Sequence, residues 1–164
     1  MPRLTARTVL WGAATALVAA AVGFYVASDR LPELTTQAVE QAQATWRAAA
    51  PADYDLTLMI AGTELDPGTY AIETRGGEVV SASRDGIALT GSADAYSIDG
   101  LHKLLLQELD LAANPTRSYG APAGYRAYLF ARFDERGLPV RFRRVVGGTS
   151  RYVEWRIEAL TSPP

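Results

Sequence analysis

Hydrophobic and polar positions change period several times along this 164-residue chain, and each change marks an element. The first stretch has no period: nothing from Thr8 to Ser28 is charged, and then Asp29 and Arg30 follow together. An apolar run behind Arg3 and Arg7 is either an export signal or a spanning helix. Signal cores hold about 7–15 apolar residues, whereas a span needs about 20. Val9–Ala27 is nineteen residues long and so predicts an anchor that is retained. The small residues of Val26-Ala27-Ser28 keep cleavage open as the alternative. Arginines ahead of the run hold the N-terminus in the cytoplasm. The predicted organisation is a cytoplasmic tail (1–8), a transmembrane signal anchor (9–28), a linker with an amphipathic helix (29–51) and an extracytoplasmic domain (52–164). Within the span, Gly12, Ala16, Ala20, Gly23 and Ala27 recur every three or four residues. They form one small-residue face of the kind that lets two membrane helices approach closely. An alanine-rich composition filling any apolar helix explains the same stripe. Trp11 and Tyr25 stand about 21 Å apart at helical rise, as interfacial aromatics do.

Beyond the span the period becomes four. Leu34, Ala38, Ala42 and Trp46 line one stripe, with Pro32 in the first helical turn and Pro51 ending it. From Asp53 the period is two. YDLTLMI, GTYAIET and EVVSASR alternate, are separated by Gly-containing turns and end at Asp85-Gly86, a three-stranded meander. SIDGLHKLLLQELDLAA returns to helical spacing, with Ser97 as cap, Asp99 at the positive helix end and Leu101, Leu105 and Leu109 on one side. Asn114-Pro115 stops it, and a turn-rich loop leads to a second meander of YRAYLFARF, PVRFRRVV and RYVEWRIEAL. In the last strand Val153, Trp155, Ile157 and Ala159 are predicted to face the core. The order is helix, meander, helix, meander. That predicts an α+β fold, an antiparallel sheet with helices on one face.

Charge is unevenly distributed. Residues 1–28 carry +2, residues 29–115 carry −9 and residues 116–164 carry +5, within a net charge of −2. A positive C-terminal third suits an anionic partner, or it is neutralised by the acidic half of the same domain. Cysteine is absent, which excludes disulfides, thiolate metal sites and a thiol nucleophile. Lys103 is the only lysine, an arginine bias in keeping with a GC-rich genome.

Little in the chain carries chemistry. His102 is the single histidine, on a helix one step from the Leu101 face with Asp99 three residues back. It reads as a structural or boundary residue, since a general base needs a positioned partner and a metal site needs more ligands. Asp53/Asp55 and Asp134/Glu135 read as solvated charge on a strand face and in a turn, without calcium-loop spacing. Gly76-Gly77 and Gly147-Gly148 close hairpins and open no helix, so neither cradles a phosphate. No catalytic residue, cofactor or metal site is predicted. The strongest surface signal is Arg126, Tyr128, Phe130, Arg132, Arg141, Arg143 and Tyr152, with Arg144, Arg151 and Arg156 nearby. Strand alternation puts 126, 128, 130 and 132 on one face of their strand, and likewise 141 with 143 on one face of theirs. Arginine beside aromatic side chains is the composition of protein interfaces. It also suits single-stranded nucleic acid, which an extracytoplasmic address disfavours. An ordinary solvated sheet face is the alternative.

The Trp46–Tyr54 stretch, YSIDGLHKLL and FDERGLPVRF together resemble a family of small exported or membrane-anchored bacterial domains of unknown function. Tyr96, Ser97, Ile98, Asp99 and Leu101 stand at the start of that family's middle helix. Asp134, Gly137 and Pro139 stand in the turn before its sixth strand, and His102 replaces a more usual aromatic residue. The resemblance, over about residues 40–160, implies the fold and an extracytoplasmic address, and no activity. The expectation is a non-catalytic accessory subunit of a bacterial inner-membrane complex, with respiratory and photosynthetic complexes as plausible hosts. Its partners would be the membrane and other subunits, and no nucleic acid. A cleaved, secreted binding or inhibitor-like module is the alternative.

Overall fold

Six alternating segments and one two-residue strand build a single antiparallel sheet. A computed structural model describes residues 31–91 and 93–163. Its strands are β1 (Tyr54–Gly62), β2 (Gly68–Arg75), β3 (Glu78–Arg84), β4 (Ile87–Ala88), β5 (Ala127–Phe133), β6 (Pro139–Val146) and β7 (Tyr152–Thr161). Their order across the sheet is β4-β3-β2-β1-β7-β6-β5. The two meanders are thus halves of one sheet, joined where β7 pairs antiparallel with β1. Helices α1 (Thr36–Ala49), α2 (Ile98–Ala112) and α3 (Pro115–Tyr119) complete the α+β architecture. Among the described residues no helix is long and apolar enough to cross a membrane. The apolar stretch 9–28, with its stripe of Gly12, Ala16, Ala20, Gly23 and Ala27, lies outside them.

Helix starts follow their caps. Thr35 accepts from Ala38 N at 3.2 Å and opens α1, whose buried positions are Val39, Ala42 and Trp46. Pro32 is therefore not in the first helical turn. Pro32–Leu34 run extended along β5 instead, with Leu34 N donating to Leu129 O at 2.9 Å and Ala131 N to Pro32 O at 3.1 Å. The exposed side of β5 has free acceptors and donors, and pairing satisfies both segments. Ser97 caps α2, accepting from Gly100 N at 3.0 Å. Asn114-Pro115 ends one helix and starts another: Asn114 accepts from Arg117 N at 3.3 Å, and Pro115 takes the first position of α3. The predicted loop there thus contains a helix.

Trp155, Tyr70, Phe142, Leu56, Leu58, Ile72 and the α2 residues Ile98, Leu101 and Leu105 fill the core between sheet and helices. Trp46 meets Tyr54 edge-on at 6.0 Å, and the Tyr54 hydroxyl accepts from Ile98 N at 3.2 Å, tying both helices to β1. The expected alternation in β7 holds at Val153, Trp155 and Ile157 and then breaks before Ala159. Leu58 pairs with Ile157 but Leu56 pairs with Leu160, so an extra residue bulges out of β7. A bulge reverses which parity faces inward. Leu160 packs on the core and Ala159 is exposed. The two-residue β4, beyond the expected end of the first meander, pairs Ser83 with Ala88 and Arg84 with Ile87.

Candidate functional site

Helices cover one side of the sheet, and the opposite side of β5, β6 and β7 collects the arginine and aromatic residues. Register aligns them in rows. Tyr128 pairs with Val145 and Val145 with Tyr152; Phe130 pairs with Arg143 and Arg143 with Glu154; Arg132 pairs with Arg141 and Arg141 with Arg156. Six predicted residues therefore share one surface, and Arg126 lies exposed just before β5. The rows continue into β1 through Met59 opposite Arg156 and Ala61 opposite Glu154. Glu33 bridges to Phe130 on the outer side.

Glu154 sits at the centre of the charges. Arg141 donates to it at 2.6 and 2.8 Å, and Arg143 approaches within 3.8 Å. Arg156 pairs with Glu158 at 2.9 Å. Such partly exposed pairs contribute only about 0.2–1 kcal/mol each, so they orient side chains more than they stabilise the sheet. Tyr128 is 52% exposed although it lies on a strand. The result is a basic, aromatic, partly self-neutralised face. It presents guanidinium, phenol and apolar area side by side. Among the described residues no group of three or more His, Asp or Glu stands together as metal ligands.

Two of the nearby arginines go elsewhere. Arg144 has the opposite parity to Arg141 and Arg143 and points to the helix side, where it is buried. It donates to both oxygens of Glu108 on α2, at 2.6 and 2.7 Å, and to Glu64 in the β1–β2 loop. Its guanidinium lies 4.3 Å from the Tyr119 ring centre, and the Tyr119 hydroxyl donates to Glu108 at 2.8 Å. Arg151 closes the cluster, 3.3 Å from Glu64 and donating to Tyr119 O at 2.7 Å. Burial works against the charge on Arg144, but the hydrogen bond and charge of Glu108, with Glu64, outweigh it and raise its pKa. Burial first, and then Glu108, push the Tyr119 phenol well up. Nothing in local spacing pairs position 64 with 108 and 144, so the cluster was invisible in the sequence. The one signal is a Glu at 108 on the inward side of a leucine-rich helix.

His102 is fully buried, deeper than the boundary position expected. Nδ1 lies 2.9 Å from Ile98 O and Nε2 2.9 Å from Gly137 O, and the ring stacks on Phe133 at 6.2 Å. It therefore ties α2 to the turn before β6. Asp134 builds that turn by accepting from Arg136 N at 2.9 Å and Leu138 N at 2.8 Å. Of the other carboxylate pair, Asp53 accepts from Gly76 N at 2.7 Å and Asp55 pairs with Arg75 at 2.7 Å, so these residues hold the β2–β3 turn. Burial lowers the His102 pKa despite the two carbonyls, which oppose the shift. The unfolded chain then takes up a proton at about pH 6.5 that the native state resists. His102 contributes its full share of stability above that pH and loses it as pH falls through the lowered native value. Urea unfolding is expected to show stability falling from about pH 7 to pH 5, and His102→Gln is expected to flatten that dependence. An unchanged slope assigns the effect to other groups.

The positions that carry the sequence resemblance make the fold. Tyr96 stacks on Tyr70 at 4.7 Å, Ser97 caps α2, and Asp134 and Gly137 form the turn. The chain matches no family model and no curated protein.

Proposed function

We propose that this chain is a non-catalytic accessory subunit of a bacterial membrane complex. Residues 9–28 anchor it, and the α+β domain docks outside the cytoplasm on neighbouring subunits through the open face of β5–β7. The observation that carries this reading is the register that aligns Tyr128, Phe130, Arg132, Arg141, Arg143 and Tyr152 on the side of the sheet without helices. Arginine and tyrosine are the residues most enriched among those that dominate interface energies. The small-residue stripe of Gly12, Ala16, Ala20, Gly23 and Ala27 supplies a second contact, helix to helix within the bilayer. The resemblance to exported bacterial domains supports the extracytoplasmic address. Respiratory or photosynthetic assemblies are the proposed hosts. A cleaved, secreted binding module would use the same sheet face without the anchor.

The test is a Tyr128→Ala/Arg143→Glu double variant, at side chains that point to solvent. Recovery of the domain with its host membranes' large complexes is expected to fall at least about ten-fold, while the melting temperature moves by less than about 2 °C. Full recovery of the variant would remove the sheet face from the interface.

A further inference from the structure

The two edges of the sheet are treated differently by the chain. At β5 the residues Pro32–Leu34 cover the edge, with a proline in the covering segment. At the other side β4 is only two residues long, and its pairing reaches no further along β3 than Leu89 N donating to Ala82 O. Among the described residues no strand pairs with the outer edge of Glu78–Ser81.

Two apolar side chains stand exposed at that edge. The β2–β3 register passes from Glu73–Ser81 to Thr74–Val79, so Val80 is the extra residue of a bulge and stands 59% exposed. Ile87, on β4, is 75% exposed. An open, mainly polar groove of ≈ 490 Å³ lies beside the edge, lined by Val79–Ala82, Ala88, Leu89, Ala93 and Asp94. A second open groove of ≈ 630 Å³ shares Val79 and Asp94 with it and is lined further by Arg47, Glu78, Asp99 and Lys103. Carboxylates outnumber cations there, and Arg47 already lies 3.4 Å from Asp99.

We propose that the open edge of β3 is a strand-addition site for an extended segment of a partner protein. The segment is apolar beside Glu78–Ser81 and ends in a basic side chain. Unpaired main-chain donors and acceptors are complementary to extended backbone, which gives affinity, while alternate side chains give specificity. An antiparallel segment runs its C-terminal end past Glu78 into the acidic groove, and this sets the place of the basic residue. The site is separate from the β5–β7 face and stands whether or not that face docks.

The probe is an acetylated Thr-Val-Thr-Val-Thr-Arg amide, titrated into the full-length protein in detergent and followed by hydrogen exchange. Exchange within residues 78–82 is expected to slow at least about ten-fold at saturation, with no change in the cap segment 32–34. A peptide with alternate amides N-methylated is expected not to bind, and glutamate in place of its arginine to weaken binding about five-fold or more. Val80→Lys, at a protruding side chain, is expected to raise the dissociation constant at least about ten-fold without lowering the melting temperature. Unchanged exchange at millimolar peptide, or equal binding by the N-methylated peptide, overturns the proposal. So does protection of residues 78–82 that grows with protein concentration alone, which assigns the edge to a second copy of this chain.

Discussion

Gly137→Ala is expected to lower the stability of the domain by about 2–5 kcal/mol. Gly137 has φ +79°, a left-handed conformation that costs a Cβ-bearing residue roughly 1–2 kcal/mol. A Cβ there would also overlap the carbonyl oxygen of Ala42 and lie 2.9 Å from Trp46 N, both backbone atoms of α1. Backbone cannot swing aside as a side chain does, so the turn must lift off the helix. The lift also pulls Gly137 O away from His102 Nε2. For a domain of this size the loss corresponds to a fall of roughly 6–20 °C in melting temperature. Gly76→Ala isolates the conformational part: φ is +60° and nothing lies within 4 Å of the added methyl. It is expected to cost only about 1–2 kcal/mol. Urea unfolding of the two variants separates the contributions, and equal losses would mean that the turn does not bear on α1.

Arg144→Met is the second large effect, expected to cost about 3–5 kcal/mol. Methionine fills much of the volume but leaves the Glu108 carboxylate buried without its two guanidinium hydrogen bonds. Arg144→Met combined with Glu108→Leu is expected to recover most of the loss, because no uncompensated charge then remains. Arg144→Lys is expected to fall between wild type and Arg144→Met, since an ammonium cannot bridge Glu108 and Glu64 while lying over the Tyr119 ring. A double-mutant cycle in which the single losses simply add would show that the ion pair is not a coupled unit.

These two sites mark the boundary of what periodicity reveals. Strand alternation located the sheet segments and the shared parity of Tyr128, Phe130 and Arg132, because side-chain direction along a strand is a local property. It placed Arg144 beside Arg141 and Arg143 only by proximity in the chain. Its parity already differed, and its buried state follows from Glu108 and Glu64, which are 36 and 80 residues away. The bulge in β7 was likewise hidden: an extra residue is specified by pairing with β1, and a single strand read alone keeps its period. Proline suits the first turn of a helix, but the partner that competes for Pro32, the exposed edge of β5, is almost a hundred residues downstream. His102 was legible as structural, while its depth depends on the Gly137 turn closing over it.

The measurement that bears most directly on the proposed role is gentle detergent extraction of native membranes. Size exclusion would follow, with the chain traced by mass spectrometry and crosslinks mapped on the domain. The expected result is a chain that retains residues 9–28, elutes with a large complex and crosslinks to its subunits through Arg126, Tyr128 or Arg143. A chain that begins at Asp29, elutes alone and appears in the soluble fraction would contradict the account and leave a secreted binding module in its place.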